Sequence, residues 1–255
     1  MLDIIAHLLS INTVLYHFNL GVGYSLSYIE AVGTVFGLLC IWYASKEKIF
    51  NFYFGLINVT LFAIIFYQIQ LYANLLLQIF FFAMNFYGLY AWGKPAANND
   101  SLKIRWLSKP QLILTIVVSL IAIAILAKFI NLFFNTLTII AVKLMQLVIP
   151  SIAMPVLQSD PYPLMDAAVT VLSIVAMVQM TRKLVENWIV WVVIDLISIV
   201  LYAKQGVYFM ALEYVLLTAI AFNGCTTWIK IARNAKKPIK VLVVFRETLW
   251  QKDQH

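Results

Sequence analysis

Residues Tyr28 to Lys94 lie over Leu164 to Lys230 without a gap, at a constant offset of 136 residues that sets Asp166 opposite Glu30. Glu30-Ala31, Thr34-Val35, Asn51, Tyr72, Phe86, Gly88, Trp92 and Lys94 face Asp166-Ala167, Thr170-Val171, Asn187, Tyr208, Phe222, Gly224, Trp228 and Lys230. Each copy holds three apolar stretches, and a bilayer-crossing helix needs about 20 apolar residues. Such a chain sets two three-helix units side by side in a membrane. Doubled bundles of this kind are typical of transporters, which bind substrate between the repeats near the midplane.

Composition agrees. With 63% hydrophobic and 11% charged residues and a mean hydropathy of +0.90, the chain is too apolar for an ordinary soluble domain. The formal charge of +7 invites a nucleic-acid reading, but the basic residues cluster in short loops and the tail, as membrane topology requires. No nucleic-acid partner is expected. Cys40 and Cys225 both fall inside spans, so neither a disulfide framework nor a metal site is readable. No cofactor is expected either.

The fold class expected is an all-α integral membrane protein. Seven transmembrane helices run in a 3+1+3 parallel-repeat, SWEET-like arrangement, with an N-terminal interfacial helix. The spans read as Tyr28–Ser45, Phe52–Gln68, Tyr72–Trp92, Leu112–Ala127, Leu164–Met180, Trp188–Tyr202 and Val207–Ile229. Residues 1–27 are expected to form an interfacial amphipathic helix, because Asp3, His7, Ser10 and His17 recur among Leu, Ile and Val and no basic leader region precedes them. The first repeat covers 28–94, a linker with the fourth helix 95–163, the second repeat 164–230 and a basic tail 231–255.

Lysine and arginine give a direction. With the N-terminus outside, Lys46, Lys48, Lys94, Lys103, Arg105, Lys109, Arg182, Lys183 and the basic tail fall inside, against Lys128, Lys143 and Lys204 outside. Phe129 to Val148 is apolar enough to suggest another crossing. A crossing there would invert the second repeat and move the tail outside, and Asn135 and Lys143 interrupt it. It is therefore expected to be an outer-surface or re-entrant helix, and the odd linker keeps the repeats parallel.

Polar groups inside a bilayer are costly and need a partner, a wet cavity or a function. Trp188, Trp191, Asp195, Ser198 and Tyr202 fall on one face of the sixth span. Asn74, Gln78, Phe82, Asn85 and Trp92 stripe the third, and Tyr214 stands at the equivalent face of the seventh, with Asn223 and Glu213 to one side. Asn58 and Gln179 complete the inventory. Amides also serve as interhelical glue, and tryptophan near an interface also serves as an anchor. Together Trp188, Trp191, Asp195, Ser198, Gln78, Asn85, Tyr214, Asn223, Asn58 and Gln179 outline a pocket for a flat ligand with polar edges. Indoles would sandwich a ring, most strongly a cationic one, and amides and the carboxylate would bind its hydroxyls or carboxamide.

The run Glu186-Asn187-Trp188-Ile189-Val190-Trp191-Val192-Val193-Ile194-Asp195-Leu196-Ile197-Ser198-Ile199-Val200-Leu201-Tyr202 resembles the central motif of the PnuC vitamin B3 transporters. Gly206-Val207-Tyr208, Tyr214 and Trp228-Ile229-Lys230 are similar to that family too. The resemblance covers roughly Tyr28 to Lys230 and leaves both termini unmatched. It implies import of nicotinamide riboside by facilitated diffusion across a bacterial inner membrane, with a cytoplasmic riboside kinase trapping the product. It also implies the fold shared with SWEET sugar carriers. The ligand is a pyridinium bearing a carboxamide and a ribose, which suits indoles, amides and an acid, although the pocket chemistry alone does not name it.

Other classes are weaker. A proton- or sodium-coupled transporter would use Asp195 and Glu213 as coupling groups, and a SWEET-like carrier would take neutral sugars. An enzyme would need a nucleophile–base or metal set, and the spans carry no suitable His or Cys constellation. No Walker A run occurs. The oligomeric state stays open, a homo-oligomer among the options.

Overall fold

The computed structural model describes residues 7–19, 21–94, 102–157 and 159–235. Two short strands, β1 (Val14–Phe18) and β2 (Tyr24–Ser27), precede seven helices. These are α1 (Tyr28–Ser45), α2 (Phe50–Gln68), α3 (Tyr72–Trp92), α4 (Lys109–Gln146), α5 (Pro163–Thr181), α6 (Glu186–Lys204) and α7 (Tyr208–Ala235). All seven are long and apolar enough to cross a membrane. The outward faces carry large apolar side chains, Ile113, Leu114, Leu120 and Ile121 on α4 among them, as lipid contact requires.

Helix ends follow local chemistry. Ser27 and Glu30 form a reciprocal capping box at the start of α1, and Ser108 and Gln111 do the same for α4, with Pro110 in its first turn. Pro163 opens α5. The α1–α2 and α5–α6 turns each place one residue at positive φ, Glu47 at 55° and Lys183 at 53°. The α2–α3 and α6–α7 turns repeat the pattern with Gln70 at 60° and Gly206 at 76°. Both pairs keep the sequence offset, so the repeat is a repeat of turn geometry as well as of side chains.

The helices run three, one, three, which fits the expected arrangement. Within each half, neighbours in sequence pack together; between halves, α1 meets α7 and α3 meets α5. Because the α1–α2 and α5–α6 turns meet on one face, the halves are parallel. That face carries Lys46, Lys48, Arg182 and Lys183 and is called the basic face; the hairpin lies on the opposite one.

The interfacial helix expected over residues 1–27 is corrected between Val14 and Ser27. There the chain forms an antiparallel hairpin, His17 opposite Ser25 and Phe18 opposite Tyr24. Only His7 and Leu8 in the described part of this segment are helical. Gly21 and Gly23 at φ 66° and 80° make the reversal, and Phe18 and Tyr24 stack on Phe209 at 4.3 and 5.1 Å. Those tertiary contacts outweigh the weak helical periodicity of the segment. His17 hydrogen-bonds Ser25 across the strands at 2.8 Å.

Past Ala127 the fourth helix continues to Gln146 through a kink at Phe129, whose φ and ψ are −113° and 16°. Beyond the kink, Ala141, Val142 and Met145 pack on Tyr72, Leu75 and Leu76 at the hairpin end of α3. This segment therefore stays on the hairpin side, as an outer-surface segment would. The tail beyond Ala235 and most of the connector after Lys94 lie outside the described residues.

Candidate functional site

The start of α6 is fixed from three sides. Asn187 donates its amide to the Leu184 carbonyl. The linker pairs with the α5–α6 turn in an isolated bridge, Arg105 N to Lys183 O and Val185 N to Arg105 O at 3.1 and 3.0 Å. Leu107 N donates to Glu186 Oε1 at 2.8 Å. This holds Trp188 in place, with Trp191 and Asp195 one and two turns further along the same face.

Trp188 is 1% exposed, and its ring lies over Gly224 on α7, where an added Cβ would sit 2.7 Å from the indole. Its repeat counterpart Phe52 occupies the matching place over Gly88. The glycines at these two positions exist because an aromatic ring takes the space of their side chains. Four rings then close the basic-face end in a chain: Phe52 to Trp92 at 4.9 Å, Trp92 to Trp228 at 5.9 Å, and Trp228 to Trp188 at 5.6 Å between centroids. The pseudo-twofold passes between Trp92 and Trp228. Their indole N–H groups donate across the halves, Trp92 to Thr181 O and Trp228 to Ala44 O, both at 3.2 Å.

Above this plug lies a central cavity of about 210 Å³, lined by Trp188, Trp191, Asp195, Gln78, Asn85 and Asn58 together with Phe81, Met177, Met180 and Cys40. A larger cavity of about 450 Å³ adjoins it, sharing Gly37, Ile41, Asn58, Gln78 and Leu217. It reaches the hairpin end, where Tyr24, Ile69 and Val207 line it. The route from the hairpin side thus extends to the middle of the bundle and stops at the aromatic plug.

The polar groups on this route differ in how far they are satisfied. Asn58 Nδ2 donates to Gly33 O at 2.8 Å, tying α1 to α2. Asn85 Nδ2 donates to Phe81 O at 2.8 Å, leaving Oδ1 without a partner although the residue is 3% exposed. The Trp188 indole N–H is likewise unpartnered. Asp195, 4% exposed, makes no hydrogen bond or ion pair among the described residues. Buried polar groups are normally paired, and the three residues that carry these unpartnered groups all line the central cavity. Gly55 makes the room: a Cβ there would run into Asn85 Oδ1.

Seven of the ten residues expected from sequence are brought together on the two cavities, Tyr214 among them through the larger one. Three are not. Ser198 is buried but lines neither cavity; Gln179 is buried in the last turn of α5 with its Oε1 unpartnered. Asn223 is exposed and bonded to Thr227 at 3.4 Å. Phe81, Cys40, Met177 and Met180 also line the central cavity, and their apolar or weakly polar character gives no sequence signal separating cavity wall from core. Gly37 and Gly55 open the space, since an added Cβ at either would meet Asn58 or Asn85.

At the hairpin end, Tyr24 donates its phenol to Glu30. Burial, and next the hydrogen bond and charge of Glu30, push the Tyr24 hydroxyl far above its ordinary pKa, so it remains a donor. Tyr202 and Tyr214 stack at 5.4 Å on the opposite wall.

Two parallel three-helix halves around a polar, aromatic-walled cavity sealed at one end define a membrane transporter. No metal-holding group of His, Cys, Asp and Glu occurs among the described residues. The chain belongs to the nicotinamide mononucleotide transporter family, which it matches over residues 27–230; its members are transporters, not enzymes. The nicotinamide riboside transporter PnuC of Escherichia coli (strain K12) is 55% identical over 227 residues, which is 88% of this chain and 95% of that protein. The riboflavin/roseoflavin transporter RibM of Streptomyces davaonensis is 28% identical over 162 residues, covering 62% of this chain and 64% of that one. In fold, the crystal structure of the vitamin B3 transporter PnuC matches with a TM-score of 0.57 at 24% identity, covering 81% of this chain and 83% of that structure.

Proposed function

We propose that this chain imports nicotinamide riboside across a bacterial inner membrane by facilitated diffusion, and that a cytoplasmic riboside kinase traps the substrate by phosphorylation. The observation that carries the reading is the central cavity, where two indoles, three amide side chains and a carboxylate without an ion-pair partner among the described residues line one space. A pyridinium ring is a favourable partner for tryptophan faces, and its charge is offset by Asp195. The carboxamide and ribose hydroxyls suit Asn85, Gln78 and Asn58. The 55% identical relative named for the same ligand supports this choice.

The halves 28–94 and 164–230 act as the two moving bodies, joined by the linker 95–163. The N-terminus lies outside and the basic tail, 231–255, inside, because the basic face carries the excess of lysine and arginine. In this orientation the cavity is open to the outside and closed inside by the aromatic plug. A reporter fused after His255 should be active only in its cytoplasmic form.

The direct test uses purified protein in liposomes. Labelled riboside should equilibrate without ATP or an ion gradient, and should be retained against a gradient only when a riboside kinase and ATP are enclosed. Uptake that needs an imposed proton or sodium gradient would replace the uniport reading with coupled transport through Asp195 or Glu213. Competition by a neutral sugar or by riboflavin in place of the riboside would move the substrate class.

A further inference from the structure

The two cavities on the route from the hairpin side hold three acids, Asp195 in the central one and Glu30 and Glu213 in the outer one. Among the described residues, neither is lined by a lysine, arginine or histidine, although the chain has 18 lysines and arginines and a formal charge of +7. The route is therefore of one sign in a protein of the other. Glu30 is committed in part: it closes the capping box with Ser27 and accepts from Tyr24. Glu213 has no ion-pair partner among the described residues and faces the same cavity from α7, with Thr34, Met210 and Tyr214 around it. Below them the space continues into the central cavity, lined by Asn85, Trp191 and Asp195.

We propose that Glu213, with Glu30, is the charge-selecting element on this route, admitting a cationic nucleoside and turning away its phosphate ester. This rests on the nicotinamide riboside reading and deepens it. A cleft with walls of low dielectric and one sign of charge concentrates the counter-ion and raises its rate of association. Phosphorylation adds a charge of about −1.5 to −2 at neutral pH, which turns the cation into a net anion. That anion would have to pass Glu213 and Glu30 and then rest beside Asp195, with no base on the route to pair it, and an unpaired charge out of water is strongly disfavoured. Charge thus separates the riboside from the mononucleotide before size does. The same filter retains the phosphorylated product once it has formed on the far side.

The test measures initial uptake into proteoliposomes of the full chain for three probes: the riboside cation, its uncharged dihydropyridine form, and the mononucleotide as competitor. Glu30→Gln keeps the capping box, since glutamine serves equally at that position, and removes only the charge. Glu213→Gln and the double variant remove the rest, while Glu213→Asp keeps it. The neutralised variants should take up the cation roughly tenfold more slowly at low ionic strength. The gap should close at high salt, uptake of the uncharged form should be unchanged, and the mononucleotide should begin to compete. Glu213→Asp should behave as the unsubstituted protein. Equal loss of the charged and uncharged forms in Glu30→Gln, or continued exclusion of the mononucleotide by a double variant that still transports, overturns the proposal. Failure of the unsubstituted protein to take up the riboside would instead overturn the substrate reading.

Discussion

Glu47 and Lys183 occupy the same position in the two repeats, and each is the other's ion-pair partner, Nζ to Oε1 at 2.6 Å. Both lie at positive φ in equivalent turns, so the pseudo-twofold runs between them. Lys183 Nζ also sits 4.7 Å from the Trp92 ring. The pair thus caps the aromatic chain of Phe52, Trp92, Trp228 and Trp188 and joins the halves on the basic face. If the halves separate on the basic face during transport, this contact must break.

Glu47→Lys should therefore weaken the closed basic-face end. The lysine side is mostly buried and the glutamate is 30% exposed, which places the contribution between that of surface and buried pairs, about 1–2 kcal/mol. Riboside uptake should change in Glu47→Lys and in Lys183→Glu, and the swapped double variant should return toward the starting rate. A double variant no better than the worse single one would show that the pair does not couple the halves.

Trp191→Ala and Asp195→Asn should each weaken riboside binding by about tenfold, equivalent to about 1.4 kcal/mol. Phe86→Ala, at an exposed position on α3, should not. Isothermal titration or fluorescence quenching in detergent reads this directly. Unaltered affinity in both cavity variants would place the ligand elsewhere.

Gly224→Ala should disturb the site without touching the ligand. The new methyl meets the Trp188 ring at 2.7 Å, and overpacking of this kind costs about 1–3 kcal/mol. A lowered Tm in detergent should accompany reduced affinity, because the ring it displaces lines the cavity.

Gly21→Ala should loosen the hairpin. Gly21 holds φ 66° and an added Cβ would come within 2.6 Å of the Tyr208 ring, while Val22 N donates to Gly206 O at 3.3 Å. Left-handed backbone at a residue with a side chain costs about 1–3 kcal/mol. Limited proteolysis should cut faster between Val14 and Ser27 in the variant than in the starting protein.

How much of this was legible differs by feature. The span Tyr28–Ser45 needs no adjustment, because apolar length and the Ser27-x-x-Glu30 cap are both local signals. The stripe of α6 was legible for the same reason: helical period alone sets Trp188, Trp191 and Asp195 on one face. Ser198 lies on that stripe too, yet lines neither cavity, since period gives a direction from one axis and not what the neighbouring helix places there. Asn223 shows the same limit in α7, where the polar residue turns outward. The hairpin leaves little local signal, because Phe18 and Tyr24 stack on Phe209 and Val22 N donates to Gly206 O, contacts between residues far apart in the chain.

By itself the sequence determined the spans, the two-copy plan and the residues able to carry chemistry, because these depend on transfer to a membrane and on helical period. Only the tertiary structure decided that Glu47 meets Lys183, that Gly88 and Gly224 receive rings from the preceding helix, and that the acids face one continuous space with no base among the described residues. Those are contacts between elements, fixed by packing within and between the halves. The local properties of either partner do not specify them.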